Sequence, residues 1–361
     1  MTTTTPQPGA TASGQVASKA LGRIGARLHD AGLTARGLAA WSGTDRLAGL
    51  PAQLGVLAAR VPTPAAALLA LFVGGAEIAQ SRLRMPGALV DELIAHDLVE
   101  CSVGCLRARV AIVPLARALL VCDRHDAASE RERVCWPDDS SYHLATAVPP
   151  GRRPDWLDVG CGSAFAALSR PELGIRITGL DITERAVRYA RIGAALSGIT
   201  HLAALRCDVG AVGAGHEVAE LVTCNAPIPE AGLAVPSGTP ALPEAGSGPS
   251  APPSRDRPAA TAEVWRHADP GLFERLWPAL RNAVRPGGTI VVHAAADAVL
   301  PALRAADGER VVVTYTPDTV RGFAVAWWRP DAPDRFAATH RALTPERPHI
   351  DTRDLEDARG R

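Results

Sequence analysis

Residues 155–181 read DWLDVGCGSAFAALSRPELGIRITGLD. A short apolar run ends in Asp158, Gly160 and Gly162 make a turn, a helix opens, and a second apolar run ends in Asp181. This alternation is a βαβ unit, in which two parallel strands bring the groups at their carboxyl ends to one side of the sheet. The glycines let the backbone pass close to a ligand, and the helix amino end presents N–H groups without partners.

The acids narrow the ligand. A dinucleotide loop would read G-x-G-x-x-G, but Phe165 stands at the third glycine position. Asp158, two residues before Gly160, would repel a pyrophosphate and attract a cation such as the ammonium and sulfonium of S-adenosylmethionine (SAM). Asp181, 19 residues past Gly162, is spaced to accept ribose hydroxyls. A SAM or related adenosyl site is therefore expected, against the plainer reading of a tight strand–helix turn.

The chain has 361 residues, enough for one large or two moderate domains with a sizeable core. Lys plus Arg and Asp plus Glu number 38 each, so no global field draws the protein to nucleic acid or an anionic membrane. Lys19 is the sole lysine, and with the excess of Ala, Gly and Pro this reads as coding bias. Seven cysteines, an odd count at irregular spacing, suit buried thiols of a reduced compartment better than a disulfide framework. Cys101, Cys105, Cys122 and His125 lack the second tight pair of a zinc site, so no metal is expected. The start has no charged-then-apolar signal pattern, and the apolar run 65–73 is too short to span a bilayer. A cytoplasmic protein with no membrane partner follows.

Composition divides the chain into four parts. Residues 1–18, rich in Thr, Pro, Gly and Ala, are expected to be disordered. Residues 19–120 show helical periodicity, with helices at 64–73, near 76–82 and at 87–98, then two strands around Gly104. Three helices followed by a hairpin is the order of a winged-helix module. From 20 to 135 there are 13 Arg against 11 Asp plus Glu, too even a balance for a phosphate-binding face, so a packing or substrate-recognition role is expected. Residues 121–330 alternate strand and helix: strands end at Asp158, Asp181, Asp208 and Asn225, then TIVVHAA, VVVTYT and FAVAWWR follow. The last two have no helix of length between them and should pair antiparallel. Within this part 231–260 is a Pro-, Gly-, Ser- and Ala-rich insert, read as a flexible lid or a linker. Residues 331–361 read as a charged tail.

This pattern resembles a class I SAM-dependent methyltransferase. Asp158-Val-Gly160-Cys161-Gly162-Ser-Ala164 is similar to the family's acid-x-Gly-x-Gly-x-Gly loop, with Ala164 in place of the last glycine. The resemblance implies an α/β, Rossmann-like domain with a seven-stranded, mostly parallel sheet whose last strand is antiparallel, preceded here by the small helical, winged-helix-like domain. It implies that Asp158, Gly160, Cys161 and Gly162 hold the methionine end, Asp181 and Ile182 the ribose, and Asp208 and Val209 the adenine. The product would be S-adenosylhomocysteine.

CNAPIP, 224–229, resembles the Asn-Pro-Pro-Tyr/Phe signature of methyltransferases acting on planar nitrogens, as in release-factor glutamine methyltransferases. A conjugated nitrogen is a poor nucleophile. The Asn225 side-chain oxygen and the Ala226 carbonyl would each accept one of its N–H groups and pin it against the methyl donor, with Pro227 retained. Ile228 stands where an aromatic would stack on a base, which favours a side-chain amide or small molecule over a nucleobase. PDDSSYHLA, 137–145, is similar to the segment that folds over the cofactor, making Ser140, Ser141 and Tyr142 candidate contacts.

Three functions are consistent with these residues. The first is N-methylation of an amide or amino nitrogen on a protein, peptide or natural product, with the 19–120 module recognising the substrate. The second is O-methylation, which needs a base, with His293 or His267 as candidates. The third is a SAM-responsive DNA-binding regulator, against which the near-neutral module speaks.

Overall fold

A computed structural model describes residues 12–44, 46–127, 132–229, 266–267, 271–316 and 322–360. Residues 1–11 and the expected insert at 231–260 lie outside the described residues.

Apolar runs rich in Val, Ile, Leu and Trp form one sheet of eight strands. They are β1 (Arg153–Val159), β2 (Gly174–Asp181), β3 (Leu202–Arg206), β4 (Ala219–Asn225), β5 (Val284–Ala295), β6 (Glu309–Tyr315), β7 (Phe323–Arg329) and β8 (Arg335–His340). Their spatial order is β8-β6-β7-β5-β4-β1-β2-β3. All run parallel except β7, which is antiparallel to both β5 and β6. This is the Rossmann-like α/β fold, with one strand more than the seven expected. Six helices matter below: α1 (Asp139–Ala147), α2 (Phe165–Ser169), α3 (Glu184–Leu196), α4 (Leu272–Ala283), α5 (Ala296–Arg304) and α6 (Thr352–Gly360). The chain leaves the sheet in opposite directions from β1 and β4, so a crevice opens between their carboxyl ends. Asp158 and Asn225 stand at those ends.

The extra strand corrects the reading of 331–361 as a tail. β8 pairs with β6 in parallel, and α6 buries Leu355 and Ala358 in the core. Composition misleads here because the charges are consumed in pairs. Arg310 meets Asp334 at 2.5 Å, Arg359 meets Glu309 at 2.5 Å, and Asp354, buried, is bonded by Arg341 and Arg347.

The amino-terminal end is corrected too. A helix spans Ala12–Asp30, so residues 12–18 are helical. Its buried Leu21, Ile24 and Leu28 belong to the core, and at Gly25 a Cβ would lie 1.8 Å from the Leu196 carbonyl oxygen. That helix therefore lies directly against the end of α3, an approach only glycine permits. After short helices at Ala35–Ser42 and Leu54–Ala58 come the helix Pro64–Phe72, strand Glu77–Ala79, single turn Gln80–Leu83, helix Gly87–Ala95 and strands Val99–Ser102 and Cys105–Ala108. The three strands form one sheet with Cys105–Ala108 in the middle. The expected second strand stops at Ala108, and Ala111–Pro114 pairs instead with Leu119–Cys122, which packs on α3.

Strand alternation separates two cores. On one face Leu221, Val291, Val313 and Val325 join residues of the amino-terminal region and α6 in one cluster running from Leu21 to Ala358. On the other, Val222, Val292 and Val312 pack under α4 and α5. The 19–120 region thus shares its core with the sheet. Among the described residues no helix is long and apolar enough to cross a membrane.

Because Leu355 is fully buried, Leu355→Ala is expected to lower unfolding free energy by about 2–5 kcal/mol, measured by urea titration. A solvated tail would give no change.

Candidate active site

The crevice is a cavity of about 590 Å³. Its walls come from the ends of β1, β2 and β4, from the start of α1, and from Leu343 and Ala48, which approach from the two ends of the chain.

The β1–α2 turn is built as its glycines require. Gly160 and Gly162 have φ of +66° and +52°, and a Cβ on either would meet nothing within 4 Å, so the loop faces open space. Ala164, in the last glycine's place, keeps a left-handed φ of +59° while fully buried. It is a strained conformation for a residue with a Cβ.

Asp158 is 3 % exposed. Asp158 and Thr223 are register partners on β1 and β4, and the Thr223 hydroxyl donates to Asp158 Oδ1 at 2.6 Å. Trp156 Nε1–H in turn donates to Thr223 Oγ1 at 2.8 Å, which fixes the hydroxyl. Burial pushes the Asp158 carboxyl up to about 7; the Thr223 bond opposes this and the nearby Asp181 charge adds to it. A positive charge placed beside a buried carboxyl raised in this way would favour its ionised form.

Asp181 closes the loop from the other strand. Its Oδ2 accepts Gly162 N–H at 2.9 Å, and its Oδ1 accepts the Thr183 N–H and hydroxyl at 2.9 and 3.1 Å. A carboxylate offers about four acceptor sites, so in this geometry room is left for about one more donor. Asp208 is exposed and caps the turn Val209–Val212, accepting Ala211 N–H at 3.2 Å, while also lining the cavity. Cys161, Ile182 and Val209 line it as well. Tyr142 turns elsewhere: its ring stacks on His349 at 4.9 Å and meets Phe165 edge-on at 4.9 Å. The cavity wall at that point is made by Ser140 and Ser141.

Asn225 sits in a chain of hydrogen bonds whose direction can be worked out from its carboxylate end. Ser140 donates its hydroxyl to Asp138 Oδ1 at 2.5 Å, because the carboxylate only accepts. Ser140 Oγ therefore accepts from Asn225 Nδ2 at 2.8 Å. That turns Asn225 Oδ1 toward His293, whose Nδ1–H donates to it at 2.8 Å. His293 Nε2 is then the acceptor, and takes the Tyr315 hydroxyl at 2.7 Å. Burial pushes His293 down to about 3, so it stays neutral in this tautomer.

These bonds speak against His293 as the candidate base of the O-methylation reading. It is 1 % exposed, paired in register with Asn225 on the neighbouring strand, and both ring nitrogens are engaged. It orients Asn225. The side chain of His267, the other candidate base, lies outside the described residues, as does that of Ile228. Ala226 is buried beside Asn225, its N–H bonded to the His293 carbonyl at 2.9 Å, and Pro227 lines the cavity. Among the described residues no group of three His, Cys, Asp or Glu is placed to hold a metal ion.

No protein-family model and no curated protein matches the chain. Solved structures do. A predicted O-methyltransferase from Agrobacterium tumefaciens is 19 % identical, covering 61 % of this chain and 96 % of its own, with a TM-score of 0.36. The T. thermophilus 16S rRNA N2 G1207 methyltransferase, solved with AdoMet and guanosine, is 17 % identical, covering 63 % of this chain and 46 % of its own, with a TM-score of 0.37. The N-methyltransferase NodS from Bradyrhizobium japonicum is 14 % identical over 53 % of this chain and 94 % of its own, with a TM-score of 0.33.

Thr223, Trp156, Asp138, His143 and Tyr315 were not among the expected site residues. Period-two alternation places Thr223 on the face of Asn225, and the strand order then sets it beside Asp158; that order is what the sequence pattern alone lacked.

An aspartic acid whose folded value lies above its ordinary 3.8 destabilises the fold as pH rises from there toward 7. Asp158→Asn is accordingly expected to raise unfolding free energy at pH 8 by up to about 4 kcal/mol and to give no gain at pH 3. The same variant should lose binding of a cationic ligand; equal destabilisation at both pH values would contradict the assignment.

Proposed function

We propose that this chain is a SAM-dependent methyltransferase acting on an amide or amino nitrogen of a protein, peptide or natural product. The observation that carries this reading is the placement of Asn225, held by two neighbours, in the same cavity as the Asp158, Gly162 and Asp181 set.

The cavity's chemistry fits the donor. Asp158 and the amides of 160–162 would hold the ammonium and carboxylate of its methionine end. Asp181 would take a ribose hydroxyl, and Asp208 and Val209 the adenine edge. When bound, SAM supplies a methyl group on a sulfonium, leaving S-adenosylhomocysteine once a nitrogen has taken the methyl. The chain's own part is to place that nitrogen. Asn225 Oδ1 spends one lone pair on His293 and keeps a second for a substrate N–H, and the Ala226 carbonyl offers the next acceptor. Two acceptors at fixed positions aim the nitrogen lone pair at the methyl group. The N–H proton is lost to water after the N–C bond forms, so no protein base is needed. The bonding of His293 supports nitrogen over oxygen as the target, since an alcohol would need the base that His293 does not provide.

The 19–120 region is proposed to recognise the substrate as a winged-helix-like module in a cytoplasmic enzyme. The run of a helix, a strand, a single turn, a helix and two strands, with the three strands in one sheet, supports that reading. Binding of duplex DNA is disfavoured by charge: the helix Gly87–Ala95 carries Asp91 and Glu92, and Arg109 of the wing is paired with Asp97 at 2.7 Å.

Asn225→Ala is expected to bind SAM with unchanged heat in calorimetry while transfer of labelled methyl to the accepting pool, among lysate protein, RNA and small metabolites, falls by about 10²–10³. Full turnover in this variant would overturn the nitrogen-holding role.

A further inference from the structure

One buried polar hydrogen stands in the cavity wall without a partner among the described residues. His143, on α1, is fully buried and lines the cavity. Its Nδ1 accepts the backbone N–H of Ile350 at 2.9 Å, so a neutral ring carries its proton on Nε2. Burial and the neighbouring His293 push its value down to about 2, which keeps the ring neutral. Nε2 has no hydrogen-bond partner among the described residues. Buried N–H donors are almost always satisfied, and an exception needs a reason.

Position supplies one. The cavity has two halves. Acids line the mouths of β1 and β2, while Tyr315, Phe323 and His293 form an aromatic wall over β5, β6 and β7. His143 belongs to the second half, with its ring 4.4 Å from Tyr315 and 6.1 Å from His293, which holds Asn225. The ring therefore stands on the side of Asn225 away from Asp158 and Asp181. Its tautomer is set by the carboxyl-terminal segment. Ile350 N–H fixes Nδ1, and the Ile350 carbonyl is itself tied to Thr146 of α1 at 2.7 Å.

We propose that His143 is a specificity-determining residue whose Nε2–H donates to an acceptor oxygen carried beside the nitrogen that Asn225 holds. This rests on the methyltransferase reading above. Asn225 and Ala226 would accept from the N–H side of a planar group while His143 donates to its C=O side, so simple amines are rejected because they leave the buried donor unpaired.

The test uses benzamide and benzylamine as probes on the full-length protein saturated with S-adenosylhomocysteine. In long-range 15N-histidine NMR the His143 Nε2–H signal is expected to shift with benzamide, keep its position with benzylamine, and keep it on adding S-adenosylhomocysteine alone. His143→Asn preserves an acceptor for Ile350 and deletes the donor; it should weaken benzamide about tenfold or more, with unchanged S-adenosylhomocysteine heat. His143→Gln keeps a donor near Nε2 and should recover part of the loss. The proposal is overturned if benzamide does not bind, if it binds with no shift at Nε2–H, or if benzylamine binds as well as benzamide. Failure to bind S-adenosylhomocysteine in the wild type would instead sink the underlying cofactor assignment.

Discussion

A single buried carboxylate governs the architecture of this site. Asp158 lies near the carboxyl end of β1 where water is excluded, and a lone Thr223 hydroxyl compensates it only in part. Removing a carboxylate from water is costly unless a counter-charge arrives. The strand order makes that arrangement possible. With β1 and β4 adjacent and their connections diverging, the crevice falls where Asp158, the glycine turn and Asn225 meet. The fold tolerates an unfavourable group at the point where a cationic ligand would make it favourable.

The second constraint is directional. From Tyr315 through His293, Asn225 and Ser140 to Asp138, each hydrogen bond dictates the next, and the terminal carboxylate sets the sense of the whole chain. An isolated asparagine at a strand end could flip its amide. Here a flip would set Asn225 Nδ2 against His293 Nδ1–H, donor against donor. The network presents a fixed oxygen to the cavity, and it occupies both ring nitrogens of His293.

Much of this was legible in the sequence, for identifiable reasons. The βαβ unit at 155–181 carried period, turn and acids together, and the strands fell where apolar runs ended in Asp158, Asp181 and Asn225. Asp208 kept a place at the cavity and also took the plainer role of a cap. What failed was composition used as a guide to burial. The final residues looked solvated because they are charged, yet Asp334, Arg341 and Arg359 are paired and Leu355 is in the core. Tyr142 looked like a cofactor contact from the motif around it, but helix phase turns it toward His349 and Phe165, leaving Ser140 and Ser141 at the cavity. The roles of His143, Thr223 and Tyr315 depend on register and tertiary approach over long separations, and no local pattern encodes them.

The central claim is that Asp158 exchanges its proton for a bound cation. The most direct measurement is calorimetry of SAM binding at pH 7 in buffers of different ionisation enthalpy. With a free carboxyl near 7 that falls on binding, about half a proton should be released, the release should vanish near pH 9, and affinity should weaken as pH drops below 7. Asp158→Asn should release none. Absence of any heat with SAM, or tight binding of a nicotinamide or flavin in its place, would contradict the account.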